Sequence, residues 1–135
     1  MGATAAMVAA ARPGLQAQVP CVLLWVPDPK TGFVASYTGE LQEEEGQLYR
    51  ERFWEEARDA AFFECLAKYQ GGIHLVYGEN DRYVAPDDKQ RVMAAVSAKG
   101  GELLELPGED HSPWTHASTQ RVFATQRAFL KQYLP

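Results

Sequence analysis

The sequence has little of what several protein classes require. Only two of its 135 residues are cysteine, Cys21 and Cys65, so no disulfide framework is expected and both thiols are predicted to be buried and reduced. No apolar run approaches the length of a membrane span. The net charge is -5 and the basic residues form no cluster, which disfavours nucleic-acid binding. With 46% hydrophobic and 23% charged residues, the composition is that of an ordinary globular domain.

The N-terminal region lacks the signals of export and lipidation. Its first 27 residues contain no acid and one base, Arg12, and no charged segment precedes the Ala-rich stretch 4–11. Residue 6 is Ala6, where a myristoylation signal needs Ser or Thr. We therefore expect a cytoplasmic protein with no membrane partner.

Signals for a cofactor or a metal are also missing. The chain has no Gly-rich phosphate loop. His111 and His116 are not spaced as a pair on one helical face, and no third ligand stands beside them. His74 falls inside an apolar run and is predicted to be a packed or solvated histidine without a catalytic role. The sequence therefore predicts neither a cofactor nor a metal site.

Short apolar runs alternate with helix-forming segments along the chain. Such alternation predicts an α/β fold with a parallel sheet of about three strands flanked by helices. Right-handed crossovers place the carboxyl ends of all the strands at one edge, where ligands bind in open α/β sheets. Strands are predicted at 20–26, 73–77 and 102–106, and helices at 3–11, within 40–69, at 86–99 and after Ser118 or Thr119.

An Asp and a His each follow one of these predicted strand ends, Asp81 after Gly-Glu-Asn and His111 after Gly-Glu-Asp. Adjacent parallel strands lie about 5 Å apart, so the carboxylate can accept a hydrogen bond from the imidazole Nδ1–H. That bond leaves Nε2 free to take a proton from a nucleophile, as in a Ser-His-Asp triad. Asp110 is a rival acid by sequence alone, but it is poorly placed for the ring of its own neighbour.

No residue of the chain has the setting of a nucleophile. A catalytic Ser needs a sharp strand-to-helix turn with small residues on both sides. The two cysteines fall inside a predicted strand and a predicted helix, where a core position is expected. None of the serines has such a turn around it: Ser36, Ser97, Ser112 and Ser118.

Residues 72–134 resemble the C-terminal end of an α/β-hydrolase-fold protein. In that family the penultimate strand leads to a Gly-x-x-Asp turn and the last strand to a loop bearing His, which would make Asp81 the triad acid and His111 the base. Met1-Gly-Ala, followed by an Ala-rich helix, resembles the tail of a Gly-x-Ser-x-Gly nucleophile elbow. By this resemblance the nucleophile would stand immediately before Met1, whose backbone N–H would be an oxyanion donor.

The resemblance makes residues 1–135 the C-terminal part of a single α/β-hydrolase domain, with a small helical lid at 30–70. It implies a serine hydrolase acting on small carboxylic esters or related acyl compounds, and a chain that is inactive alone because it lacks the nucleophile and the oxyanion loop.

Trp114 is a candidate for substrate binding, or else packs on the last helix. The alternatives are a hydrolase with an Asp nucleophile, similar to dehalogenases and epoxide hydrolases, and a non-catalytic doubly wound binding module. An unpaired apolar strand at 20–26 would also favour self-association through its edge.

Overall fold

The computed structural model describes residues 2–29, 42–44, 47–49 and 61–134, and for the two short middle ranges it describes the backbone only. The elements are, in chain order, helices α1 (Gly2–Ala10) and α2 (Pro13–Gln16), strands β1 (Cys21–Trp25), β2 (Gln42–Glu44) and β3 (Gln47–Tyr49), helix α3 (Phe62–Lys68), strand β4 (Gly72–Gly78), helix α4 (Pro86–Ala98), strand β5 (Glu102–Leu106) and helix α5 (His116–Tyr133).

Three parallel strands form the main sheet in the order β1-β4-β5. The middle strand β4 is buried at every residue, as expected for an apolar strand covered on both faces. Leu23 of β1 is in register with His74 of β4, and Val76 of β4 with Leu104 of β5. The predicted α/β class and its three-stranded parallel sheet are confirmed, and each strand lies within a residue of its predicted limits.

The helices divide between the two faces of the sheet. Helices α1, α3 and α4 pack side by side on one face, and α5 packs on the other. Val22 and Leu24 of β1 are buried toward α1, whereas Leu23 and Trp25 point toward α5 and are only half-buried. Alternating side chains of β1 therefore contribute to the hydrophobic core on both faces of the sheet. They are less buried on the face that α5 covers.

The outer side of β1 is open within the described residues. There β1 pairs with β4 alone, so its other edge is unpaired. Beside this edge, Leu23 and α5 enclose a groove of about 420 Å³. Phe123 lines that groove and is 48% exposed, and Gln126 lines it with a buried side-chain amide nitrogen that has no hydrogen-bond partner.

Part of the predicted helical lid has a different structure. Residues 42–44 and 47–49 pair as antiparallel strands where helix was expected. Helix propensity is a weak prior, and cross-strand pairing can outweigh it. Helix α3 lies where the second lid helix was expected. The rest of 30–70, like Met1, lies outside the described residues.

Two helix starts also differ from expectation. Helix α5 begins at His116, before the predicted Ser118 or Thr119, because the Thr115 hydroxyl caps it by accepting the Ser118 amide. Helix α2 was not predicted, and its single turn starts at Pro13, whose fixed φ suits a first helical residue.

The thiols are less buried than expected. Neither Cys21 nor Cys65 forms a disulfide, and each is half-buried rather than enclosed. Burial nevertheless raises the pKa of the Cys21 thiol. In the ranges that the structure describes, no helix is both long and apolar enough to cross a membrane.

Candidate active site

Asp81 lies in the turn that follows β4, and its side chain is fully buried. Its Oδ1 accepts the backbone N–H of Tyr83 at 2.9 Å and that of Val84 at 3.2 Å. An Asp that binds amides two and three residues further on closes a turn and is itself held by it. The turn therefore fixes the direction of the second carboxylate oxygen, Oδ2.

That oxygen meets the imidazole of His111, which lies in the loop after β5. Nδ1 of His111 is 2.9 Å from Oδ2 of Asp81, and the His111 side chain is 30% exposed. Because an ionised carboxylate only accepts hydrogen bonds, this contact selects, for the neutral ring, the tautomer with the hydrogen on Nδ1 and the lone pair on Nε2. The structure thus brings together the two residues that the sequence singled out.

Asp110, the rival acid, is engaged elsewhere. Its Oδ1 accepts the amide of His111 at 2.8 Å, and its Oδ2 lies 2.6 Å from both Nε and Nη2 of Arg82. The bond from the His111 amide, followed by the bonds from Arg82, holds the pKa of Asp110 below its usual value. Asp110 therefore anchors the backbone of His111 rather than its ring.

The two strand-end loops are joined closely at the backbone. The amide of Asn80 donates to the carbonyl of Glu109 at 2.8 Å. Gly78 permits this approach, since a Cβ at that position would overlap the carbonyl oxygens of Glu109 and Asp110. A glycine at the end of β4 is thus a condition for bringing the loop of His111 against the turn of Asp81.

Trp114 packs inside the same loop. Its side chain is buried, its ring centroid lies 5.0 Å from that of Trp25, and its indole N–H donates to the Asp110 carbonyl at 3.0 Å. These contacts support the loop that carries His111. The substrate-binding role of Trp114 stays a prediction.

Tyr83 flanks the imidazole, although the sequence did not single it out. Its ring centroid lies 5.0 Å from that of His111, and the residue is 64% exposed. A Tyr two residues after an Asp in a turn has no sequence pattern that marks it, so only the folded turn shows that it lies beside His111. It supplies an exposed aromatic surface next to His111.

The loop after β1 reaches the same edge of the sheet and is strained. Val26 has a φ of 44°, a conformation that a β-branched residue rarely adopts and that costs about 1–3 kcal/mol. The amide of Val26 donates to the Val76 carbonyl at 2.9 Å, and the Tyr77 hydroxyl donates to the Pro27 carbonyl, which together hold the strained turn. Burial raises the pKa of Tyr77, so its hydroxyl stays a donor.

The two other histidines, His74 and His116, lie within a strand and a helix. His74 is buried in β4 with its ring 5.4 Å, centroid to centroid, from Phe129, which confirms it as a packed side chain. His116 is the first residue of α5. Among the described residues, no group of three or more His, Cys, Asp or Glu side chains is arranged to hold a metal ion.

Comparison with solved structures identifies the fold. The sequence matches no family model and no curated protein. The structure superposes on two solved structures of Est1E from Butyrivibrio proteoclasticus, one with ferulic acid bound, each with a TM-score of 0.73 over 96% of this chain. The chain has the α/β-hydrolase fold. Sequence identity to the two Est1E chains is only 18% and 19%.

The match spans 55% and 57% of the two Est1E chains, so this α/β-hydrolase-fold chain covers little more than half of the length of its structural neighbour. Such partial coverage fits the C-terminal portion of the fold, which is the part that the resemblance of residues 72–134 indicated.

Proposed function

We propose that the chain supplies the acid and the base of a serine hydrolase that cleaves small carboxylic esters or related acyl compounds. The contact that carries this proposal is the 2.9 Å hydrogen bond between Oδ2 of Asp81 and Nδ1 of His111. It lies past the carboxyl ends of neighbouring strands, where open α/β sheets bind ligands. The fold shared with Est1E supports the proposal, and the comparisons favour neither an Asp nucleophile nor a non-catalytic module.

In the proposed reaction, a Ser immediately before Met1 attacks the acyl carbon. Nε2 of His111 takes the proton of that hydroxyl and then gives it to the leaving alcohol, so the ester C–O bond breaks and an acyl-enzyme forms. Water then attacks the acyl-enzyme, with His111 again acting as base and then as acid. Asp81 keeps Nδ1 protonated throughout, so Nε2 is always the nitrogen that exchanges the proton.

The burial of Asp81 gives it a second role in this reaction. When His111 takes the proton it becomes an imidazolium, and the carboxylate 2.9 Å away stabilises that charge. Because the Asp81 side chain is fully buried, water screens the interaction less than it would at the surface. The exposed part of the imidazole remains available to the substrate.

The oxyanion would be stabilised by the backbone N–H of Met1 and by a second donor from polypeptide outside this chain. Losing the nucleophile of a triad lowers turnover by about 10⁶-fold, or about 8 kcal/mol of barrier. We therefore expect the chain alone to show no triad-type turnover.

Hydrolysis of a p-nitrophenyl ester by the purified chain tests this expectation. A methyl ester of ferulic acid is a second substrate, because one Est1E structure holds that acid. Rates at the level of buffer, equal in the chain and in its His111→Ala variant, are expected. Turnover that disappears in His111→Ala would show that the chain carries its own nucleophile and would overturn this part of the proposal.

A further inference from the structure

Lys89 is a buried lysine in the first turn of α4, where it is only 7% exposed. A cation at this place faces the positive end of the helix dipole, and lysine is rarely buried unless it is paired. Both effects disfavour a lysine here, so its contacts must account for its position.

The ammonium of Lys89 has an acceptor for each of its hydrogens. Nζ lies 2.7 Å from the carbonyl oxygen of Gly78, 3.0 Å from that of Glu79 and 2.7 Å from Oε1 of Glu105. Gly78 ends β4, and Glu105 lies in β5. One charged group therefore joins helix α4 to the ends of the two strands that lead to the acid and to the base.

One of these acceptors is shared with the acid itself. The Gly78 carbonyl oxygen also accepts the backbone N–H of Asp81, at 3.4 Å. The next carbonyl, that of Glu79, is held by the ammonium as well. The first half of the turn that carries Asp81 is thus fixed by Lys89, and its second half by the bonds of the Asp81 carboxylate to the amides of Tyr83 and Val84.

We propose that Lys89 is a positioning residue for the acid–base pair: by holding the carbonyls of Gly78 and Glu79, it aims Oδ2 of Asp81 at Nδ1 of His111. The role of Lys89 in catalysis rests on the proposed function, whereas its effect on the geometry of the Asp81–His111 pair is independent of that function. A lysine that only stabilised the fold would change the melting temperature without changing the state of the His111 ring.

The test is nitrogen NMR of the His111 ring in the ¹⁵N-labelled chain, at about pH 8, above the ordinary pKa of histidine. The spectrum separates a ring protonated at Nδ1 from one protonated at Nε2. Lys89→Met keeps the length of the apolar stem and removes the ammonium. The matched control is Lys99→Met, which removes an exposed ammonium bound to the Ala67 carbonyl at the other end of α4.

In Lys89→Met we expect the ratio of Nδ1–H to Nε2–H ring to fall by about tenfold, the effect of losing one hydrogen bond of ordinary net strength. Lys99→Met should leave the ratio at its wild-type value. If Lys89→Met does not fold, Lys89→Gln, which removes the charge but keeps an N–H donor on a side chain one atom shorter, should show a smaller fall in the same direction. A wild-type ratio in the folded Lys89 variant, or an equal change in Lys99→Met, would overturn the proposal. Because the readout needs no turnover, its failure is distinct from a failure of the proposed hydrolase function.

Discussion

Oδ2 of Asp81 and Nδ1 of His111 are 2.9 Å apart, with the carboxylate fully buried and the imidazole still 30% exposed. Water therefore does not reach the Asp81 carboxylate, while the imidazole of His111 can still contact a ligand. Oδ1 of the same carboxylate accepts two backbone amides, so one oxygen of Asp81 binds the turn and the other binds the His111 ring. This division makes the effect of an amide substitution predictable.

Asp81→Asn is expected to reverse the tautomer of His111. The amide oxygen must stay with the backbone N–H groups of Tyr83 and Val84, which turns the NH₂ group toward Nδ1 and leaves the ring protonated at Nε2. In an assembled enzyme this substitution should lower kcat by about 10⁴-fold, as it does for the acid of a serine protease. Nitrogen NMR of the His111 ring in the chain measures the tautomer directly.

Asp110→Asn is the control for this change, because Asp110 binds the His111 amide and Arg82 but not the ring. It should leave the ring protonated at Nδ1. Equal spectra for Asp81→Asn and the wild-type chain would show that Asp81 does not set the tautomer.

Gly78→Ala should destabilise the chain and separate the two loops of the site. Its Cβ would overlap the carbonyl oxygens of Glu109 and Asp110, which are backbone atoms and cannot turn aside. Overpacking of this kind costs about 1–3 kcal/mol in free energy of unfolding. Gly14→Ala is the matched control, since a Cβ there meets no atom within 4 Å and should stabilise α2 by about 0.5–1 kcal/mol. Urea unfolding of both variants checks the difference, and equal stabilities would refute the close contact.

His74 should make the chain less stable in mild acid. Burial lowers its pKa, and the charge of Glu102 opposes this only in part. Below about pH 6.5, the ordinary value for histidine, the unfolded chain therefore binds a proton that the folded chain does not. The free energy of unfolding then falls as the pH decreases from about 6.5 toward the lowered pKa of the folded state.

His74→Phe keeps a ring against Phe129 but removes the titrating group. It should flatten the pH dependence of stability below about pH 6.5 relative to the wild-type chain. Urea unfolding at a series of pH values for both proteins gives the two slopes. Parallel curves would mean that His74 protonates equally well in the folded and unfolded states.

We propose that the edge of β1, which pairs with no strand among the described residues, causes self-association of the isolated chain. The strand Cys21–Trp25 has no charged residue, whereas the outer strand β5 carries Glu102 and Glu105, charges of the kind that protect an edge from pairing. Leu23→Lys should therefore reduce association seen by sedimentation velocity, and Leu103→Lys on β5 should not. A wild-type chain that remains a monomer at every concentration would contradict this expectation.

The parts of the fold that could be predicted are those whose sequence pattern suits only one kind of secondary structure. Continuous apolar runs such as 73–77 suit a buried parallel strand, and parallel strands bring Asp81 and His111 to one edge without further information. The strands at 42–44 and 47–49 carry no such pattern, because their residues also suit a helix. Lys89 could not be recognised either, since a lysine in the first turn of a helix usually lies in solvent and only the folded chain supplies its acceptors.

The nucleotide sequence directly upstream of the Met1 codon tests the central claim most directly. If Asp81 and His111 are the acid and base of a serine hydrolase, the in-frame codons before Met1 should encode Gly-x-Ser, which with Gly2 completes the Gly-x-Ser-x-Gly turn. An in-frame Asp in place of that Ser would replace the serine mechanism by an Asp nucleophile. In-frame codons that encode neither residue at that position would contradict the account.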